Sequence, residues 1–133
     1  RYPDGIALAE IGRSFQGRSI QMLKLGAGDK KIMLWSQMHG DEPSATPALL
    51  DIADYLLANS AQPAVRSLLE TCTLLIIPML NPDGAEVYER RNAQGIDINR
   101  DALQLSSRKA VYSKAFVIVM SPCWGLICTI KIV

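Results

Sequence analysis

Residues 31–58 read KIMLWSQMHGDEPSATPALLDIADYLLA, and residues 71–84 read TCTLLIIPMLNPDG. The first stretch opens on Lys31–Ser36, a run short and apolar enough for a buried strand. From Pro43 to about Ala58 the apolar residues Ala45, Ala48, Leu49, Ile52, Ala53, Leu56 and Leu57 recur at three- and four-residue spacing. That spacing gives a helix one face for a core. Pro43 suits a first-turn position, and Asp41 and Glu42 set negative charge at the positive end of the helix dipole. Asn59, Ser60 and Pro63 end the helix. Thr71–Pro78 is a second buried strand, and Met79–Gly84 reads as a loop with Asn-Pro-Asp-Gly turn chemistry. Strand, helix, strand is a β-α-β unit, which requires parallel pairing and helices packed on the sheet. Upstream, Ile6–Ile11 and Arg18–Leu25 read as strands joined by a turn at Gly12–Gly17, an antiparallel edge for the same sheet. The expected fold class is α/β: a mixed, largely parallel sheet with packed helices.

Around this core the composition describes one globular domain. The chain has 133 residues, 49% hydrophobic and 20% charged, with a net charge of +1. That balance argues against a disordered tail. It also argues against a nucleic-acid binder working through bulk positive charge, since near-neutrality offers little counterion release. Three cysteines make no disulfide framework. Residue 1 is Arg, and no charged-then-apolar leader is visible in the residues given, so the compartment is unassigned beyond a slight preference for the cytoplasm.

Three clusters could carry chemistry. His39-Gly40-Asp41-Glu42 follows the first apolar strand directly. An imidazole and a carboxylate three residues apart on a strand-to-helix turn can converge on one metal ion, and zinc accepts both donor types. Gly40 would permit a tight turn between them. The position also fits the rule that ligands bind beyond the carboxyl ends of strands in open α/β sheets. Alone, the spacing equally fits a surface histidine beside a helix-capping glutamate. Asn81-Pro82-Asp83-Gly84 follows the next strand and by itself is a turn. Arg90-Arg91-Asn92 and Gly95-Ile96-Asp97-Ile98-Asn99-Arg100-Asp101 concentrate guanidinium and amide groups, which suit carboxylate recognition or a solvated loop.

Taken in order, these motifs resemble the zinc carboxypeptidase family, the relatives of carboxypeptidases A and B. The segment Ile11-Gly12-Arg13-Ser14 through Gly17-Arg18-Ser19-Ile20 resembles the family's lead-in, and the likeness covers about residues 9–103. The resemblance implies a zinc-dependent metallocarboxypeptidase that hydrolyses a C-terminal peptide or amide bond. It implies His39 and Glu42 as zinc ligands. It implies Arg91 as the guanidinium that polarises the scissile carbonyl, with Arg90 as the second candidate. Asn99 and Arg100 would clamp the substrate's terminal carboxylate; Asp97 is in the motif, where it would orient that loop, and is given no chemistry. The implied partner is a peptide or acyl-amino acid with a free carboxylate, and neither nucleic acid nor a membrane is expected.

The sequence departs from the family downstream. The family's third zinc ligand is a later histidine, and His39 is the only histidine here. The family's general base is a later glutamate, and no acidic residue follows Asp101. Residues 1–101 carry 10 Lys+Arg and all 13 acids, while residues 102–133 carry Arg108, Lys109, Lys114 and Lys131 and no acid. Residues 1–105 are therefore read as the front part of a catalytic domain and 106–133 as an atypical apolar tail. Ala115–Ile130 is uncharged and could be a pair of buried strands, the product of a truncated or shifted reading frame, or a short membrane anchor. Cys123 and Cys128 are read as buried apolar residues rather than substitute ligands. The chain alone is expected to be inactive or nearly so. A non-catalytic carboxylate-binding module and a membrane-tethered interaction protein are the competing readings.

Overall fold

The computed structural model describes residues 5–101 and the backbone of 129–132. β1 (Ile6–Arg13) and β2 (Ser19–Leu25) form an antiparallel hairpin in register from Ile6↔Leu25 to Arg13↔Ser19, with a bulge between Glu10 and Gly12. β3 (Lys30–Trp35) leads into α1 (Ala45–Ala58) and α2 (Pro63–Thr71). β4 (Cys72–Ile77) then runs parallel to β3, pairing Lys30↔Cys72 through Trp35↔Ile77. The short helices α3 (Pro82–Glu86) and α4 (Ile98–Asp101) follow, and β5 (Thr129–Ile132) pairs antiparallel with β3. The sheet order is β1-β2-β4-β3-β5.

The α/β class, the β-α-β unit and the antiparallel hairpin edge are as expected. The balance within the sheet is not: among the described strands only β3–β4 is parallel, and the other three pairings are antiparallel. A parallel pair needs a crossover long enough to return the chain, and the α1–α2 segment supplies the one between β3 and β4.

Three local expectations are corrected. The main helix starts at Ala45, so Asp41, Glu42 and Pro43 precede it and its first turn holds no acid. Pro47 is the proline inside that first turn, where a missing N–H costs nothing. Residues 63–70, which carry no helix or strand expectation, form α2 together with Thr71, expected as strand, and Pro63 stands at its start. The Asn-Pro-Asp-Gly stretch begins α3 rather than a plain loop. Asn81 caps it by accepting from the Gly84 N–H at 3.2 Å, because turn-forming residues also start helices.

Strand alternation gives the sheet two apolar faces. Leu23, Leu25, Leu34, Leu74 and Ile76 point to one, under Leu49, Ala53 and Leu56 of α1 and Val65 of α2. Ile20, Met33, Trp35 and Ile77 point to the other, with Met38 and Ile98 of α4. No helix among the described residues is long and apolar enough to cross a membrane. Most of the Ala115–Ile130 run lies outside the described residues, as do Cys123 and Cys128; residues 129–132 are strand, in line with the strand reading for that part of the run.

Candidate metal centre

Because β3 and β4 are parallel, the segments that leave them emerge at the same end of the sheet. Hydrogen bonding continues past both strands: Ser36 N–H donates to Ile77 O (3.1 Å), Leu80 N–H to Ser36 O (3.1 Å) and Asn81 N–H to Gln37 O (3.0 Å). Residues 33–40 are all buried. Gln37 takes a left-handed φ of 46°, and its side chain fixes the turn. Its Nε2 donates to Gly40 O at 3.0 Å and its Oε1 accepts from Thr46 Oγ1 at 2.8 Å. Thr46 Oγ1 also lies 2.8 Å from Ser36 Oγ and from Pro78 O, so α1, β3 and the exit of β4 share one polar knot.

The expected tight turn forms, the Glu42 N–H donating to His39 O at 3.2 Å, but Gly40 needs no positive φ to make it. A Cβ there would stand 2.0 Å from Gly84 C and 2.3 Å from Ala85 N. The residue is small because the 39–42 turn rests on the backbone of α3. α3 is anchored in turn through Asp83, whose side chain is fully buried. Ser14 Oγ and Arg18 Nη1 (3.1 Å) donate to Oδ1, and the Gln16 N–H donates to Oδ2 at 3.3 Å.

This frame brings His39 and Glu42 together. The imidazole is 2% exposed, and its Nδ1 lies 3.0 Å from Glu42 Oε2. Its Nε2 lies 3.2 Å from Asp97 Oδ1. Asp97 is fixed by its own loop: Oδ1 accepts from the Asn99 N–H at 3.0 Å, and its carbonyl accepts from the N–H groups of Arg100 (3.0 Å) and Asp101 (2.9 Å), starting α4. Asn92 shapes the same loop, its Oδ1 accepting from Gln94 N–H (3.0 Å) and Ile96 N–H (2.9 Å). Burial pushes the Asp97 carboxyl up. The His39 hydrogen bond and charge, with Arg90, pull harder, so it titrates below its ordinary value of 3.8.

The guanidinium in the cluster belongs to Arg90. Its Nε donates to Asp97 Oδ2 (3.1 Å) and its Nη1 to Glu42 Oε1 (3.2 Å). Arg91 is exposed and donates to Gly95 O at 2.7 Å. Asn99, half-buried, and Arg100, exposed, follow Asp97 on α4. Neighbouring positions of one motif thus have different fates, set by side-chain direction. Asp97 orders its loop as expected, and an acid just before Ile98-Asn99-Arg100 carries that N-cap signal; its contact with His39 has no signal in the sequence.

The donor set suits zinc as far as it goes. A nitrogen and an oxygen 3.0 Å apart are close to the roughly 3.3 Å that separates two tetrahedral zinc ligands with bonds near 2.0–2.1 Å. A carboxylate on the second ring nitrogen is the usual companion of a ligating histidine. Among the described residues no third His, Cys, Asp or Glu completes the group.

The family model described as zinc carboxypeptidase matches residues 1–115. Carboxypeptidase SOL1 of Arabidopsis thaliana is 31% identical over 101 residues, covering 71% of this chain and 21% of that protein. Carboxypeptidase Z of Homo sapiens is 31% identical over 118 residues, covering 73% of this chain and 18% of its own length. A metallo-carboxypeptidase from Pseudomonas aeruginosa, solved in complex with (2-guanidinoethylmercapto)succinic acid, is 27% identical with a TM-score of 0.69. That likeness covers 84% of this chain and 32% of the solved one. The chain thus spans about a fifth of these curated relatives and a third of the solved structure.

Proposed function

The chain belongs to the zinc carboxypeptidase family, and on that premise we propose that it is the front part of a site that hydrolyses C-terminal peptide or amide bonds, with His39 and Glu42 as two zinc ligands. The observation that carries this is the facing of His39 Nδ1 and Glu42 Oε2 at 3.0 Å while Asp97 occupies the opposite ring nitrogen. Zinc, when bound, supplies Lewis acidity toward a carbonyl and lowers the pKa of its water to about 7.

The chain's own residues do the rest of what this part of the site can do. Asp97 holds the imidazole in one orientation and so keeps Nδ1 on the Glu42 side. A guanidinium beside the two ligands meets negative charge that develops on the scissile carbonyl. The contacts of Arg90 support it for that role over Arg91, which is the alternative. Asn99 and Arg100 on α4 bind the substrate's terminal carboxylate, a group internal peptide bonds lack. The substrate class is a peptide or acyl-amino acid with a free carboxylate; the Pseudomonas aeruginosa relative's ligand, a substituted succinic acid, shares the carboxylate.

By themselves the 133 residues are expected to show little or no turnover, since the sequence has no second histidine and no carboxylate after Asp101 to act as base. Zinc binding is the direct test. Calorimetry should show weak binding that His39→Ala and Glu42→Ala each abolish. Binding that survives both substitutions would place the metal elsewhere. A wild-type chain that takes no zinc would favour a carboxylate-binding module instead.

A further inference from the structure

We propose that Arg90 is a positioning residue that decides which oxygen of Glu42 faces His39, by spanning two carboxylates at once. The proposal rests on the metal-site reading above. Glu42 Oε2 lies 3.0 Å from His39 Nδ1, while Arg90 Nη1 donates to the other oxygen, Oε1, at 3.2 Å. Asp97 repeats the arrangement: Oδ1 lies 3.2 Å from His39 Nε2, and Arg90 Nε donates to Oδ2 at 3.1 Å. Four side chains close into a ring in which imidazole and guanidinium are bridged twice.

The geometry of arginine makes this possible. Its nitrogens form a rigid planar fork, so two of them can hold two separate carboxylates in a fixed relation. A lysine ammonium is a point charge on a flexible stem and does not impose that relation. Glu42 needs the constraint more than Asp97 does. Its side chain is 34% exposed and extends from a turn ahead of α1, whereas Asp97 is 14% exposed and already accepts from the Asn99 N–H. Arg90 comes from 48 residues further along the chain, so it also ties the 39–42 turn to the 90–97 loop.

Charge and position make opposite demands here. A guanidinium beside a cation site repels the cation, so removing it should tighten metal binding if charge alone matters. If Arg90 orders Glu42, removing it should loosen binding. Substitutions of groups that orient metal ligands commonly cost about 10–100-fold in affinity.

The experiment uses the full chain titrated with zinc and followed by the imidazole NMR signals of His39, which is the only histidine and therefore unambiguous. Arg90→Gln is expected to weaken zinc about tenfold, and Arg90→Lys is expected not to restore it. Arg66→Gln, which removes the same charge from an exposed pair with Glu70 on α2, is expected to leave zinc affinity unchanged. Arg90→Gln binding zinc as well as wild type, or better, overturns the proposal alone, as does full rescue by Arg90→Lys. A wild-type chain whose histidine signals ignore zinc overturns the metal-site reading and the proposal with it. Circular dichroism of each variant confirms that the fold is kept, which the 44% exposure of the Arg90 side chain favours.

Discussion

At Gly40 a single hydrogen in place of a methyl group holds two motifs together. Its neighbours are backbone atoms of Gly84 and Ala85, which cannot swing aside. Gly84 is as confined, since a Cβ there would stand 2.5 Å from Arg91 O and 2.7 Å from Glu89 O. Gly40→Ala is therefore expected to cost about 1–3 kcal/mol or more, the range for forced overpacking. Urea unfolding would measure it, and an unchanged midpoint would show that the two turns can separate freely. The sequence marks both positions as glycine but cannot say why. A need for positive φ and a need for close approach look the same in letters, and here the second applies. The same limit separates Arg90 from Arg91. Spacing places both on one loop, but only the backbone direction at each residue decides which guanidinium reaches Glu42 and Asp97.

Between elements, the β1–β2 hairpin and α3 are joined by Asp83, which takes the Ser14 hydroxyl, the Gln16 N–H and the Arg18 guanidinium. Asp83→Ala would strand those donors and is expected to cost about 3 kcal/mol, the lower end of the range for breaking a buried pair. The lower end applies because the Arg18 side chain, 35% exposed, can still reach water. A loss below about 0.5 kcal/mol in denaturant unfolding would mean that the hairpin and α3 do not depend on this contact. Elements whose signal is local were legible: apolar runs gave β3 and β4, and three- and four-residue spacing gave α1. α3 was hidden because Asn, Pro, Asp and Gly serve turns and helix starts alike. α2, between the clear helix and the next strand, has one start signal in the sequence: Pro63 at the first helical position, where it is favoured.

Across the whole molecule, the sheet is covered on one face by α1 and α2 and meets α4 on the other. The candidate site sits where β3 and β4 end together. That placement followed from the β-α-β reading, because parallel neighbours put their exits side by side. His39 and Glu42 were legible for the same reason, since three residues on one turn fix their proximity. The partners that come from 48 or 58 residues away, Arg90 and Asp97, needed the fold. The pairing of Leu80 and Asn81 with Ser36 and Gln37 has a further effect. In heavy water, the amides of these two residues are expected to keep their protons about as long as those of β4, although they lie outside any strand. Exchange at the rate of an unprotected loop amide would contradict this. If the protons persist, the floor beneath His39 breathes only when the sheet itself opens, and any guest must come in over the rim.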